Sequence, residues 1–324
     1  MHIIFKLFVI SFLFSTLSCQ TASEKVTSPT LPAKVQQASK KTQVLLLTQP
    51  FDVKTALQRK ELVEYVTQSD VNIPNDVASL GSWMMFEGPV LENDRIAYRC
   101  YADSRNRFDI YAKSVTDLVM DTVSWNYHDI MDWGTDVLKV GNSLGIGSPA
   151  IWYQDSLYTF STYAQKTIAI LENGDNRSTV RTTFTDLVIA GEKIDLQQDW
   201  SLAAGVPYTS VQLTITKGNL PSGAHFATGI VKHIKTDQTG EINNQFYAYT
   251  WGKQSFHKQY LGMAIFAKKD LVLQKVADDL THAYVLQNTP SNTVEYAFLA
   301  AWERGNSRVT SEAEFKRYLK QYVK

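Results

Sequence analysis

The chain has 324 residues, 44% of them apolar and 12% aromatic, enough to bury a sizeable core and to exclude a disordered protein. Thirty-two basic residues balance 32 acidic ones, so the basic excess or stripe of a nucleic-acid binder is missing. Any electrostatic role therefore rests on local clusters.

The first residues, MHIIFKLFVISFLFSTLSC, place Lys6 ahead of an apolar run that is too short to span a bilayer. They read as a signal peptide over residues 1–18. Cys19 directly after Ser18 resembles a bacterial lipoprotein cleavage box, which predicts lipidation at Cys19; ordinary signal-peptidase cleavage is the alternative. Residues 19–42 are rich in Ser, Thr, Pro, Lys and Gln and suit a lipid-anchored flexible tether. The predicted location is outside the cytoplasm, in the periplasm or at the cell surface, on the outer membrane through Cys19 alone. With Cys19 lipidated, Cys100 has no disulfide partner, and its phase with Ile96 and Tyr98 makes it a small buried hydrophobe.

Residues 43–324 read as one β-sandwich catalytic domain. TALQRKELVEYV, residues 55–66, has helical character. TQVLLLTQ, RFDIYAKSV, SVQLTITKG, FATGIVKHI, QFYAYTW, LGMAIFAKK, HAYVLQN and VEYAFLAAW are strand candidates. ENGDNRS, KGNLPSG and KTDQTGE read as turns between them. At the end, Ser311 and Glu314 form a capping box, followed by a stripe of Phe315, Tyr318, Leu319 and Tyr322 that predicts a helix. Strands that follow one another without alternating helices predict an all-β fold. The form is a large antiparallel β-sandwich, of which a mutarotase-like supersandwich is one version, with a few peripheral helices.

Two stretches stand apart. ENDRIAYRCYADSRNR holds Arg95, Arg99, Arg105 and Arg107, and alternation puts Arg95, Arg99 and Tyr101 on one strand face. Such a face is either simply wet or meets an anion. Downstream, Trp125, Tyr127, His128, Asp129, Asp132, Trp133, Asp136 and Lys139 crowd together ahead of Gly141, Gly145 and Gly147. No GK[ST] follows these glycines, so they suit the lining of a polar ligand better than a phosphate loop. No HExxH and no close histidine pair supports a metal, and no cofactor is implied.

GPVLENDRIAYRCYADSRNRFDIYAK and YHDIMDWGTDVLKVGNSLGIG resemble a family of secreted bacterial proteins encoded among polysaccharide-utilisation genes. One branch of it is similar to the ulvan-oligosaccharide dehydratase of marine bacteria. That resemblance implies a lyase that eliminates water from a non-reducing-end uronic acid and leaves a 4,5-unsaturated sugar. Its partner would be an acidic oligosaccharide, sulfated in the case of ulvan, with no nucleic acid involved.

The residue roles follow from that chemistry, which needs a cation on the carboxylate, a base for the C5 proton and an acid for the 4-hydroxyl. Arg95, Arg99, Arg105 and Arg107 are the substrate-binding candidates, joined by Lys139 and, for stacking on a sugar ring, Trp251. Trp125, Trp133 and Trp302 are further stacking candidates. His128 is the first choice of base, its ring fixed by Asp129 or Asp132, with Tyr101 as acid. His233 is the second choice, while His225, His257 and His282 read as surface residues. A glycan-binding lipoprotein without activity is the alternative. So is a glycoside hydrolase using Asp132 with Asp136, or Glu92 with Glu303.

Overall fold

Residues 40–59, 64–75 and 79–323 are described by a computed structural model. The expected leader, the expected lipidation at Cys19 and nearly all of the expected tether lie outside these residues. Every strand pairing among them is antiparallel. Nine strands form the largest sheet, in the order Gln238–Ile242, Gln245–Lys253, Tyr260–Lys268, Thr293–Trp302, Tyr208–Lys217, Glu192–Ala203, Arg177–Ile189, Gln165–Asn173, Asp70–Ile73. A five-stranded sheet joins Thr42–Leu45, Val90–Asn93, Ile96–Cys100, Phe108–Lys113 and Gly134–Asp136. A second five-stranded sheet is built around His225–Val231 and Thr281–Leu286. The all-β expectation holds, with stacked antiparallel sheets and two short α-helices at the periphery.

Alternation explains how the sheets meet. Ile96, Tyr98 and Cys100 of one strand and Phe108 and Ile110 of the next point into a single core shared with Trp200, Leu213, Phe226, Tyr284 and Phe298. Phe108 packs its ring 5.1 Å from Trp200 and 4.9 Å from Phe298. The Tyr98 hydroxyl donates to Pro207 O at 2.7 Å and accepts from Ala300 N at 2.9 Å, which seats the small sheet on the large one. The opposite face of the small sheet is buried too, under Phe86, Met120 and Tyr127. Residues that alternate outward from the core therefore enter a second interior, not solvent.

Local departures from the sequence reading have simple causes. The first helix is Val53–Gln58, started by the Asp52 side chain on Thr55 N; Arg59 is extended, and Val66 already pairs with Thr48. Gln238–Ile242, read as a turn, is an edge strand, so polar that it carries no apolar alternation. The terminal helix Glu312–Tyr322 begins at Ser311 as expected, but the Glu314 carboxylate reaches back to Thr310 N and Oγ1, one residue beyond the cap. Two glycines of the loop serve packing, while Gly141 borders a cleft. A Cβ on Gly147 would lie 2.3 Å from the Phe298 ring and one on Gly145 2.3 Å from Phe108 O, so these glycines permit close packing between sheets.

Candidate functional site

Arg99 and Asp109 are directly opposed across two strands of the small sheet, and Tyr111 is opposed to Asp136 on the next pair. All four alternate away from the main core, which gathers them on one buried face. Above them, Phe86 and Glu87 adopt left-handed backbone angles (φ 61° and 56°), a conformation bulky residues seldom take. That turn aims the Phe86 carbonyl at Arg99 Nη1, 2.9 Å away. The following Gly88 admits no side chain, because a Cβ there would lie 2.0 Å from Cys100 O.

Arg99 is 1% exposed, and both of its terminal nitrogens are engaged while its Nε has no partner. Nη1 donates to Phe86 O and to the Tyr127 hydroxyl at 3.3 Å. Nη2 donates to the Tyr101 hydroxyl at 2.6 Å, to Asp136 Oδ2 at 3.2 Å and to Asp109. Burial alone would favour loss of its proton, but the adjacent Asp109 and Asp136 hold it charged. One guanidinium thus faces two buried carboxylates. The imbalance falls on Asp136, whose pKa is driven well above the usual carboxylate range by burial and then by Asp109.

Asp136 connects this interior to the surface. Its Oδ2 lies 3.3 Å from His128 Nδ1, and its Oδ1 accepts from Leu138 N at 3.2 Å. His128 is 52% exposed, with its ring stacked on the exposed Phe256 at 5.6 Å. Burial, then Arg99, lowers its pKa, so the neutral imidazole is favoured near pH 7. A neutral ring whose Nδ1–H meets Asp136 presents its other nitrogen as a base. His257 also reaches this edge, its Nε2 lying 3.3 Å from Thr135 Oγ1.

On the other side of Arg99, the Tyr101 ring lies between two guanidinium carbons, Arg99 at 4.1 Å and Arg105 at 3.7 Å. Burial, then Asp109, raises the phenol pKa against the pull of Arg99, so Tyr101 keeps its proton. Arg105 is 42% exposed and pairs with Glu87 and Asp103, each at 2.6 Å.

The fold therefore brings Arg99, Tyr101, Arg105 and His128 together. Arg95 is elsewhere: it belongs to the turn before its strand and lies 3.7 Å from Asp94, outside the alternation that was to align it with Arg99. Arg107 turns into a separate buried region. Lys139 and His233 meet each other, His233 Nε2 donating to Lys139 O at 2.7 Å, beside a cleft of about 160 Å³. Trp251 stacks on Tyr260 at 5.8 Å and on Phe315 at 5.6 Å, below the terminal helix. Trp302 is buried, and Trp125 donates its Nε1–H to the Tyr65 hydroxyl. His282 is not at the surface but buried, its Nδ1 3.4 Å from Asp237.

Sequence reasoning missed three partners. Asp136, not Asp129 or Asp132, holds the His128 ring, because the strand Gly134–Asp136 turns it inward while the other two are exposed. Asp109 was readable as the residue opposite Arg99 in the next strand. Phe256 had no local signal. Cys100 is buried as expected, and burial pushes its thiol up to about 11, which makes it inert. Among the described residues, no group of three or more His, Cys, Asp or Glu side chains is placed to hold a metal ion.

Residues 10–324 match the family described as a domain of unknown function, DUF4861, and the chain belongs to that family. No curated protein matches the sequence. Among solved structures, the chain is similar to a "putative aldose 1-epimerase" from Klebsiella pneumoniae, at 8% identity and a TM-score of 0.42. That match covers 86% of this chain and 95% of the other.

Proposed function

We propose that this protein is a dehydratase that eliminates water from the non-reducing-end uronic acid of ulvan oligosaccharides. The observation that carries the reading is the His128–Asp136 pair, a surface imidazole oriented by a buried carboxylate, which Arg99 joins to the Tyr101 phenol. In this reading His128 Nε2 takes the C5 proton. The C5–H electron pair becomes the C4=C5 bond, and the C4–O bond breaks as Tyr101 protonates the departing hydroxyl. Water leaves and a 4,5-unsaturated uronate remains. Arg99, buried with both terminal nitrogens engaged by the protein, serves in this reading to fix Tyr101 and Asp136. Arg105, exposed and stacked on Tyr101, is the cation available to the carboxylate, exchanging a contact with Glu87 or Asp103.

The hydrolase alternative loses its proposed carboxylates. Glu92 is fully buried against Lys113, and Asp136 is buried under Arg99. A binding protein without activity remains the second reading, favoured by the exposed Phe256 as a stacking surface. Incubation with glucuronate-terminated ulvan oligomers separates the two. The enzyme removes one water per chain without shortening it and creates ultraviolet absorbance from the new double bond. Binding with unchanged product mass overturns the dehydratase. The proposal includes export and anchoring through Cys19, which rest on the leader composition alone. Loss of fatty-acid labelling in Cys19→Ala tests them.

A further inference from the structure

Beyond the proton-transfer site, the loop that joins Ile96–Cys100 to Phe108–Lys113 leads to a second charged interior. Asn106 adopts a left-handed conformation (φ 45°) and is locked there, its Nδ2 donating to Gln198 Oε1 at 2.9 Å. That turn delivers Arg107 into the protein, where it is 6% exposed and no protein acceptor lies within hydrogen-bond distance of Nε or Nη1. Lys166, fully buried on the strand Gln165–Asn173, comes to the same loop. Its ammonium donates only to neutral oxygens, Asn106 Oδ1 at 3.0 Å and Asp103 O at 3.2 Å.

A count of countercharges leaves both cations unpaired. The nearest carboxylate, Asp103, gives both its oxygens to Arg105, at 2.8 and 3.0 Å from Nε and 2.6 Å from Nη2. Glu87 is also committed to Arg105. Cys100 is within electrostatic reach of both, but as a thiol held up to about 11 it is neutral at pH 7. Burial lowers Lys166 to about 8 and Arg107 to about 10, the directions expected of cations without a paired anion. A buried charge is normally paired, and a buried guanidinium with open N–H groups is rare. Neutral dipoles can satisfy those N–H groups but cannot cancel two charges.

We propose that Arg107 and Lys166 form a binding site for a small oxyanion group: sulfate, phosphate monoester or carboxylate, free or borne by a larger ligand. The planar fork of Arg107 supplies paired N–H donors to two oxygens, and the Lys166 ammonium supplies the second charge. The site is separate from the His128–Asp136 pair, so its test does not depend on turnover.

Inorganic sulfate, inorganic phosphate and glucuronate are titrated calorimetrically into the whole protein at constant ionic strength and pH 6.5, with chloride as background. The wild type should bind at least one of them saturably, one per chain. Arg107→Met and Lys166→Met should each weaken that binding by about tenfold or more, the equivalent of one charge-assisted contact. Arg95→Met, in its distant turn, should not change it. Glucuronate alone would identify a carboxylate ligand; sulfate or phosphate would identify a tetrahedral one. If Arg107→Met does not fold, Arg107→Lys keeps the charge without the fork and should still weaken binding. On the wild type alone, binding near pH 8 should take up protons, since an anion beside Lys166 raises its pKa. The inference is overturned if the wild type binds none of the three saturably, or if Arg107 substitution leaves binding intact.

Discussion

Replacing Arg99 with methionine keeps much of the side-chain volume and removes the charge. Asp109 and Asp136 would then stay buried with no cation, and removing one partner of a buried pair costs about 3–5 kcal/mol. A second route gives a similar size. Without the cation, the two adjacent buried carboxylates cannot both stay charged, and neutralising one of them by a proton sets the size of the cost. Protonating a carboxylate of ordinary pKa ~3.9 at pH 7 costs about 4 kcal/mol, at ~1.4 kcal/mol per unit. Because that cost is a proton-binding cost, it shrinks as pH falls. Urea unfolding followed by tryptophan fluorescence should give a deficit near 4 kcal/mol at pH 7 and about 1.5–2 kcal/mol at pH 5. Adding Asp109→Asn should recover more than half of the deficit at pH 7 and little at pH 5. A deficit below about 1 kcal/mol, or one equal at the two pH values, would refute the assignment of two carboxylates to one guanidinium.

Other substitutions probe the neighbouring links. His128→Ala should lower turnover of uronate-terminated oligomers by ~10²–10⁴-fold with little change in KM, and the pH–rate profile should lose its acid limb; His233→Ala should leave both unchanged. Gly88→Ala, whose Cβ must displace Cys100 O, should destabilise by about 1–3 kcal/mol in denaturant melts and shift activity through the Phe86–Arg99 contact. Lys166 titrates at about 8 when folded against 10.5 ordinarily, so in the absence of a bound oxyanion the folded state binds fewer protons between those values. Stability should therefore rise from pH 8 to 10.5 and be lost as pH falls through 8, and Lys166→Met should flatten that slope, measured as the difference between two urea series.

The architecture was legible because strands with one face in a core repeat every second residue. RFDIYAKSV and SVQLTITKG show that pattern plainly. Gln238–Ile242 escaped since an edge strand with both faces wet has no period to read. At the site, alternation correctly set Arg99 apart from Ile96, Tyr98 and Cys100, while Tyr101, just past the strand end, borders the main core and still meets Arg99. It then misled, because the face opposite the core was assumed to be open. That face is roofed by Phe86 and Tyr127, so Arg99 lies buried with its terminal nitrogens on protein acceptors. Which aspartate meets His128 could not be read from spacing, since Asp129, Asp132 and Asp136 are all close in sequence. The choice depends on where the chain rejoins the sheet, a tertiary fact. Phe256 reaches the site from 128 residues further along, where nothing marks it.

Glu92 carries a consequence of a different kind. It is fully buried and 2.5 Å from Lys113, and it also accepts from Gln43 on the first described strand and from the backbone of Val119 and Met120. Two segments far apart in sequence, one at Gln43 and one over residues 113–120, converge on this carboxylate, and the second leads into the stretch bearing His128. Order of assembly follows. Residues 119–120 have no anchor for their amides until the hairpin through Lys113 has closed over Glu92, and Gln43 completes the shell only when the strand Thr42–Leu45 has joined the sheet edge. We expect the stretch bearing His128, which follows these anchored amides, to be set in place late. In a refolding reaction, native tryptophan fluorescence from the main core should return before the His128 surface does.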